Sequence, residues 1–136
     1  MALIVQKYGG SSVATPDKIR DLARRIVARH DGGDQVVVVV SAMGKSTDAL
    51  VAQARELAQR PDPREMDMLV SAGERISIAM MSIAINGIRA GLAVSFTGSQ
   101  IGLITDCNHG DARVLEIRGD RLREALDQGR IAVVAG

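Results

Sequence analysis

The 136 residues make a chain the size of one ordinary domain, able on folding to bury about 68–70% of the surface its unfolded form exposes. With 46% hydrophobic and 24% charged residues, but only Tyr8 and Phe96 as aromatics and no Trp, its core must be aliphatic. The 17 Lys and Arg against 16 Asp and Glu leave a formal charge of +1, which excludes the basic field that drives nucleic-acid or membrane-surface binding. Any anionic ligand therefore needs a local site. Cys107 is the single cysteine and has no partner for an internal disulfide. The start lacks the pattern of a secretory signal, and no apolar run approaches the roughly 18 residues of a membrane span, so a cytoplasmic protein is expected.

Residues 2–6 (ALIVQ) predict a strand, and Thr15-Pro16 predicts an N-cap followed by proline at the first helical position. In the helix that follows, Ile19, Leu22, Ala23, Ile26 and Val27 recur at i, i+3, i+4, i+7 and i+8, with Gly32-Gly33 as the stop. The unbroken β-branched run 36–40 (VVVVV) predicts a central parallel strand covered on both faces. A second helix is expected over roughly 47–59, capped by Ser46 or Thr47. Asp62-Pro63 with Glu65 resembles a capping arrangement for a third, which Gly73 is placed to break. The stretch from Ile76 to Ile88 is apolar almost all round, as expected of a helix buried between layers or in a subunit interface. Strands follow near 92–96, 101–104 and 113–117, then a helix from Asp120 to Gly129 and a buried strand from Ile131 to Ala135. Alternating strands and helices predict an α/β fold, a mainly parallel sheet between helical layers. A strand ending "VVAG" should feed a functional loop, so the sequence reads as a truncated domain.

Two polar glycine-containing loops directly follow the first two strands, at 7–12 (KYGGSS) and 41–47 (SAMGKST). Gly44-Lys45-Ser46 matches the end of a phosphate-binding P-loop, but the position five before Gly44 is Val39 rather than glycine. The first strand–helix turn carries no dinucleotide fingerprint either. In a parallel sheet both loops lie at one edge, where Lys7 beside glycine N–H groups suits an anion such as a triphosphate; the bland alternative is a strand-ending turn with Lys7 solvated. Glu74, in "SAGERIS", is a carboxylate at the lip of a buried helix. It needs a basic partner such as Arg75 or a cationic ligand group. Cys107-x-His109 offers two possible metal ligands without a second pair and reads as a surface loop.

Taken together, "KYGGSS", "VVVVVSAMGKSTDAL", "EMDMLVSAGERIS", "SFTGSQ" and "IAVVAG" resemble, in order and at compatible spacing over the whole chain, the N-terminal part of the aspartate kinases, members of the amino-acid kinase fold. The resemblance implies a three-layer αβα sandwich and transfer of the γ-phosphoryl group of MgATP to the side-chain carboxylate of L-aspartate. That reaction gives 4-phospho-L-aspartate, on the route to lysine, threonine and methionine. It further implies that Lys7 stabilises the transferring phosphoryl group, and that Tyr8, Gly9, Gly10 and Ser41 belong with it to the ATP site. Thr47 and Glu74 become aspartate-binding positions, with Glu74 facing the α-ammonium. No metal ligand is implied among these residues, and a homo-oligomer is expected of the complete protein. The family's catalytic domains continue past this sequence through a loop bearing arginine, serine and aspartate, and then into regulatory ACT domains. The 136 residues alone are therefore expected to be silent. Acetylglutamate, uridylate and carbamate kinases share the pattern, although KYGGSS with SAGERIS favours aspartate. A non-catalytic interaction or regulatory module is the alternative of a different class.

Overall fold

The computed structural model describes residues 1–136. Strands β1 (Leu3–Tyr8), β2 (Gln35–Val40), β6 (Ile131–Ala135) and β3 (Ala93–Phe96) form one wholly parallel sheet in the order β1-β2-β6-β3. A separate antiparallel hairpin pairs β4 (Leu103–Thr105) with β5 (Val114–Ile117). The helices are α1 (Pro16–Asp31), α2 (Ser46–Leu57), α3 (Pro63–Ile88) and α4 (Asp120–Asp127).

Side chains alternate across the sheet with a period of two, which makes two cores. Val36, Val38 and Val40 of β2 and Ile131 and Val133 of β6 meet Ile19, Leu22 and Ile26 of α1 and Ile78, Met81 and Ile85 of α3. On the opposite face Val37, Ala132, Val134 and Phe96 meet Ala125 and Leu126 of α4. The result is the expected three-layer α/β sandwich. Each fully buried aliphatic side chain of this kind contributes about 1.5–3 kcal/mol. The α4 layer reaches β2 through Val37 but does not cover β1, so Leu3 and Val5 stay 60% and 63% exposed.

Thr15 caps α1 as the sequence predicts, its hydroxyl accepting the N–H of Lys18 at 3.3 Å. Helix α2 departs from expectation, because Lys45 holds the N-cap position without a side-chain bond and neither Ser46 nor Thr47 caps. The hydroxyl of Ser46 is instead buried without a protein partner. At α3, Asp62 accepts the N–H of Arg64 at 2.8 Å, while Glu65 pairs with the Arg64 side chain.

Gly73 does not break the third helix; α3 runs unbroken for 26 residues. Glycine costs about 1 kcal/mol in a helix interior. Here it lets the helix close on the 41–47 loop, since a Cβ at Gly73 would stand 3.2 Å from that of Ala42. Nor is the chain without a helix long enough to cross a bilayer. The 18-residue hydropathy window of α3 averages 1.5, enough by length and composition alone. Its Ile78, Met81 and Ile85 are nevertheless packed in the core between α1 and the sheet, and the serines and glycines that interrupt the apolar pattern hide this length from a run-by-run reading.

Candidate functional site

In a parallel sheet all carboxyl ends lie at one edge, where helix-connecting loops gather. At this edge the loop after β1 is clamped onto the loop after β2. Gly44 N–H donates to Gly10 C=O at 2.9 Å and Ser41 N–H to Tyr8 C=O at 3.2 Å. A Cβ on Gly10 would stand 2.8 Å from Ala42 O and 3.0 Å from Gly44 O, so only glycine permits this approach. Gly9 has no atom within 4 Å of its Cβ position and an ordinary φ of −75°. Thus Gly10 is fixed by packing, whereas Gly9 faces open space. The N–H groups of Gly9, Ala42, Met43 and Lys45 make no backbone hydrogen bond, which leaves a set of free donors at the edge suited to an anion.

Lys7 is the penultimate residue of β1, in register with Val39, so it alternates onto the face shared with Leu3 and Val5, opposite to α3. It is exposed and enters no salt bridge. Tyr8 points the other way, onto the larger core. Thr47, in the first turn of α2, lies beside α3: its Oγ1 is 3.5 Å from the Cβ position of Gly73, the neighbour of Glu74.

Glu74 lines a cleft of about 480 Å³ at the same edge. One wall is α3, with Asp67, Ser71, Glu74 and Arg75; the other holds Thr97 and Ser99 after β3 and Thr105 and His109 of the hairpin, with Ala135 at the end of β6. Burial pushes the Glu74 carboxyl above its usual range, and no cation opposes the shift. The adjacent Arg75 is exposed and does not pair with it. The choice the sequence leaves between a basic partner and a ligand is therefore narrowed to an unpaired, partly desolvated carboxylate.

The structure thus brings Gly10, Ser41 and Tyr8 together through their backbones, and Thr47 to the helix that carries Glu74. Of the residues singled out in the sequence for binding, only Glu74 lines the cleft. Sequence reasoning missed Asp67 and assigned His109 to a plain surface loop. The carboxylate of Asp67 accepts the Gly110 N–H at 2.9 Å and the His109 Nδ1–H at 3.2 Å. That pairing spans more than 40 positions, and no local pattern signals it.

A parallel α/β sheet with two glycine loops clamped at its carboxyl edge, beside a polar cleft, defines a small-molecule-handling α/β domain. Residues 2–136 match the model of the Amino acid kinase family, and the chain belongs to that family. Among characterised relatives it is similar to the aspartokinase of Mycolicibacterium smegmatis, 56% identical over 136 residues, and to aspartokinase 2 of Bacillus subtilis, 48% identical. Each alignment covers the whole of this chain but only 32% and 33% of the relative, so the chain spans about a third of their length. The crystal structure of aspartate kinase from Synechocystis superposes with a TM-score of 0.84 at 50% identity, covering 98% of this chain and 22% of that one. Escherichia coli aspartokinase III, solved with aspartate and ADP, shares the fold at a TM-score of 0.78 and 22% identity, covering 98% of this chain and 40% of that one.

Proposed function

We propose that this chain is the N-terminal portion of an aspartate kinase catalytic domain and contributes half of its site for phosphoryl transfer from MgATP to the side-chain carboxylate of L-aspartate. The product is 4-phospho-L-aspartate, and the role is the entry step to lysine, threonine and methionine. The observation that carries this reading is the adjacency, at one sheet edge, of a cradle of free N–H donors and a cleft holding an unpaired carboxylate. It is supported by 56% identity to an aspartokinase over every residue of the chain.

Chemically, the acceptor carboxylate is already a nucleophile. One of its oxygens forms a bond to the γ-phosphorus as the bond to the β–γ bridging oxygen breaks, ADP leaves, and no covalent enzyme intermediate is needed. The protein's tasks are positioning and charge neutralisation. Lys7 supplies positive charge to the transferring group; Gly9 and Gly10, with Tyr8 and Ser41 fixing the loops behind them, present the phosphate side. Glu74 receives the α-ammonium, a cation that offsets its desolvation, and Thr47 stands beside it. Mg²⁺ bound to the nucleotide's phosphates would supply further positive charge at the transferring group. The remaining ATP and substrate contacts, and the regulatory domains, belong to the rest of a longer chain. A free, exposed Cys107 fits a reducing cytoplasm.

The exposed stripe Ile76, Met80, Ile83 and Ile88 along α3 supports a homo-oligomer. In the complete enzyme Lys7→Ala lowers kcat by roughly 10²–10³, by analogy with loss of one preorganised donor, with hydroxamate trapping of the acyl phosphate as the assay. A change confined to KM would overturn the role given to Lys7.

A further inference from the structure

We propose that Asp67 is a positioning residue for the acceptor cleft: its carboxylate latches the tip of the β4–β5 hairpin onto α3 and so sets the spacing between the two walls of the cleft. The inference rests on reading the Glu74 cleft as the amino-acid site.

A two-stranded hairpin is marginal by itself. This one is not hydrogen-bonded into the main sheet, and Val114, Leu115 and Ile117 on β5 are 57%, 68% and 61% exposed. Its base is well held. Leu103 N–H donates to Gly98 C=O at 2.9 Å and Arg118 N–H to Gly102 C=O at 3.1 Å, where a Cβ on Gly102 would stand 2.9 Å from that of Arg118. Its tip, however, satisfies itself: Asp106 accepts the N–H groups of Asn108 and Arg113, and Asp111 N–H donates to Asn108 C=O. The tip's bonds to the rest of the protein are the two that end on Asp67, from Gly110 N–H and His109 Nδ1–H.

Asp67, Ser71 and Glu74 recur at i, i+4 and i+7 and share one face of α3. Two turns of helix separate latch from carboxylate, roughly 10 Å along the axis at 1.5 Å per residue. An aspartate-sized ligand at Glu74 does not reach Asp67. The latch therefore acts through the wall it holds, fixing His109 and Thr105 relative to Glu74 on a rigid ruler. Both partners are half exposed, at 49% and 46%, so the latch closes the wall without burying a charge.

The test is made in the complete enzyme. Asp67→Ala is expected to raise KM for L-aspartate roughly 3- to 10-fold, the range for losing two exposed charge-assisted hydrogen bonds, while kcat and KM for ATP change less than about twofold. Asp67→Asn, whose amide oxygen still accepts from Gly110, is expected to recover most of the loss. Hydrogen exchange of the 106–113 segment reports the latch without activity, and it should speed up in Asp67→Ala and not in Asp67→Asn. Faster exchange with an unchanged KM for aspartate, in an enzyme where Glu74→Gln does raise that KM, would refute the positioning role. If Glu74→Gln leaves KM unchanged, the cleft assignment is what has failed, and the proposal falls with it for that separate reason. Unchanged exchange in Asp67→Ala would refute the latch directly.

Discussion

Two neighbouring glycines are expected to respond oppositely to the same methyl group. In Gly10→Ala the new Cβ meets two backbone oxygens, at 2.8 Å and 3.0 Å, neither at the end of a flexible side chain. The loops after β1 and β2 must part, which costs about 1–3 kcal/mol as overpacking. If the Gly44 N–H to Gly10 C=O bond is lost as well, the cost grows by about 1 kcal/mol. Alanine recovers only about 0.4–1 kcal/mol through the unfolded chain. Gly9→Ala has that gain and no opposing contact, with φ at −75° and ψ at 172°, a conformation alanine adopts freely. Urea unfolding followed by far-UV circular dichroism suits a chain without Trp. The Gly10→Ala midpoint should fall and the Gly9→Ala midpoint hold or rise, with slopes unchanged. Equal midpoints would refute the argument that contact, and not flexibility, selects glycine at position 10.

Burial raises the Glu74 carboxyl above its value of 4.5, so the folded chain holds a proton the unfolded chain has released. By linkage, its contribution is most favourable below about pH 4.5 and is lost as pH rises through the higher folded value, so Glu74→Gln should gain stability over the parent across that window, read by urea midpoints in a pH series. Asp31 behaves in the opposite sense. The Arg89 hydrogen bond holds its carboxyl below 3.8, so the stabilisation present above that value disappears as pH falls through the lower folded one. Arg89→Ala should flatten this acid limb, and added salt should weaken it in the parent, because the pair is exposed. Ile83→Glu, at a position 67% exposed on α3, should leave monomer stability within about 0.5 kcal/mol and dissociate an oligomer built on that stripe, as sedimentation would detect.

The sequence is most legible where one local rule dominates. Thr15-Pro16 is a cap with a fixed φ after it, VVVVV is buried on both sides, and β6 falls over Ile131–Ala135 as predicted. It misleads where tertiary contact overrides a local preference. Gly73 carries a helix-breaking propensity, but proximity to Ala42 and Thr47 gives the missing side chain a use. Ser46 has good capping chemistry, yet its hydroxyl is turned inward and buried. Glu74 is legible as a carboxylate in need of compensation, because burial of a charge leaves that trace in any apolar neighbourhood. The opposite wall is not, since Asp67 and His109 become neighbours only after the hairpin folds back across α3.

The strand order carries a consequence for synthesis on the ribosome. β6 lies between β2 and β3, so Val37 pairs with Ala132, and Val94 with that same Ala132 from the other side. Until the sixth strand emerges, β2 and β3 are two unpaired edges with a gap between them, and within the main sheet the earlier part of the chain can form only the β1–β2 pair. Loop closure this long is slow, and the waiting edge of β2 is a row of β-branched residues. A nascent chain held before Ile131–Ala135 leave the ribosome should therefore be a client for holding chaperones, and release should follow once β6 has emerged.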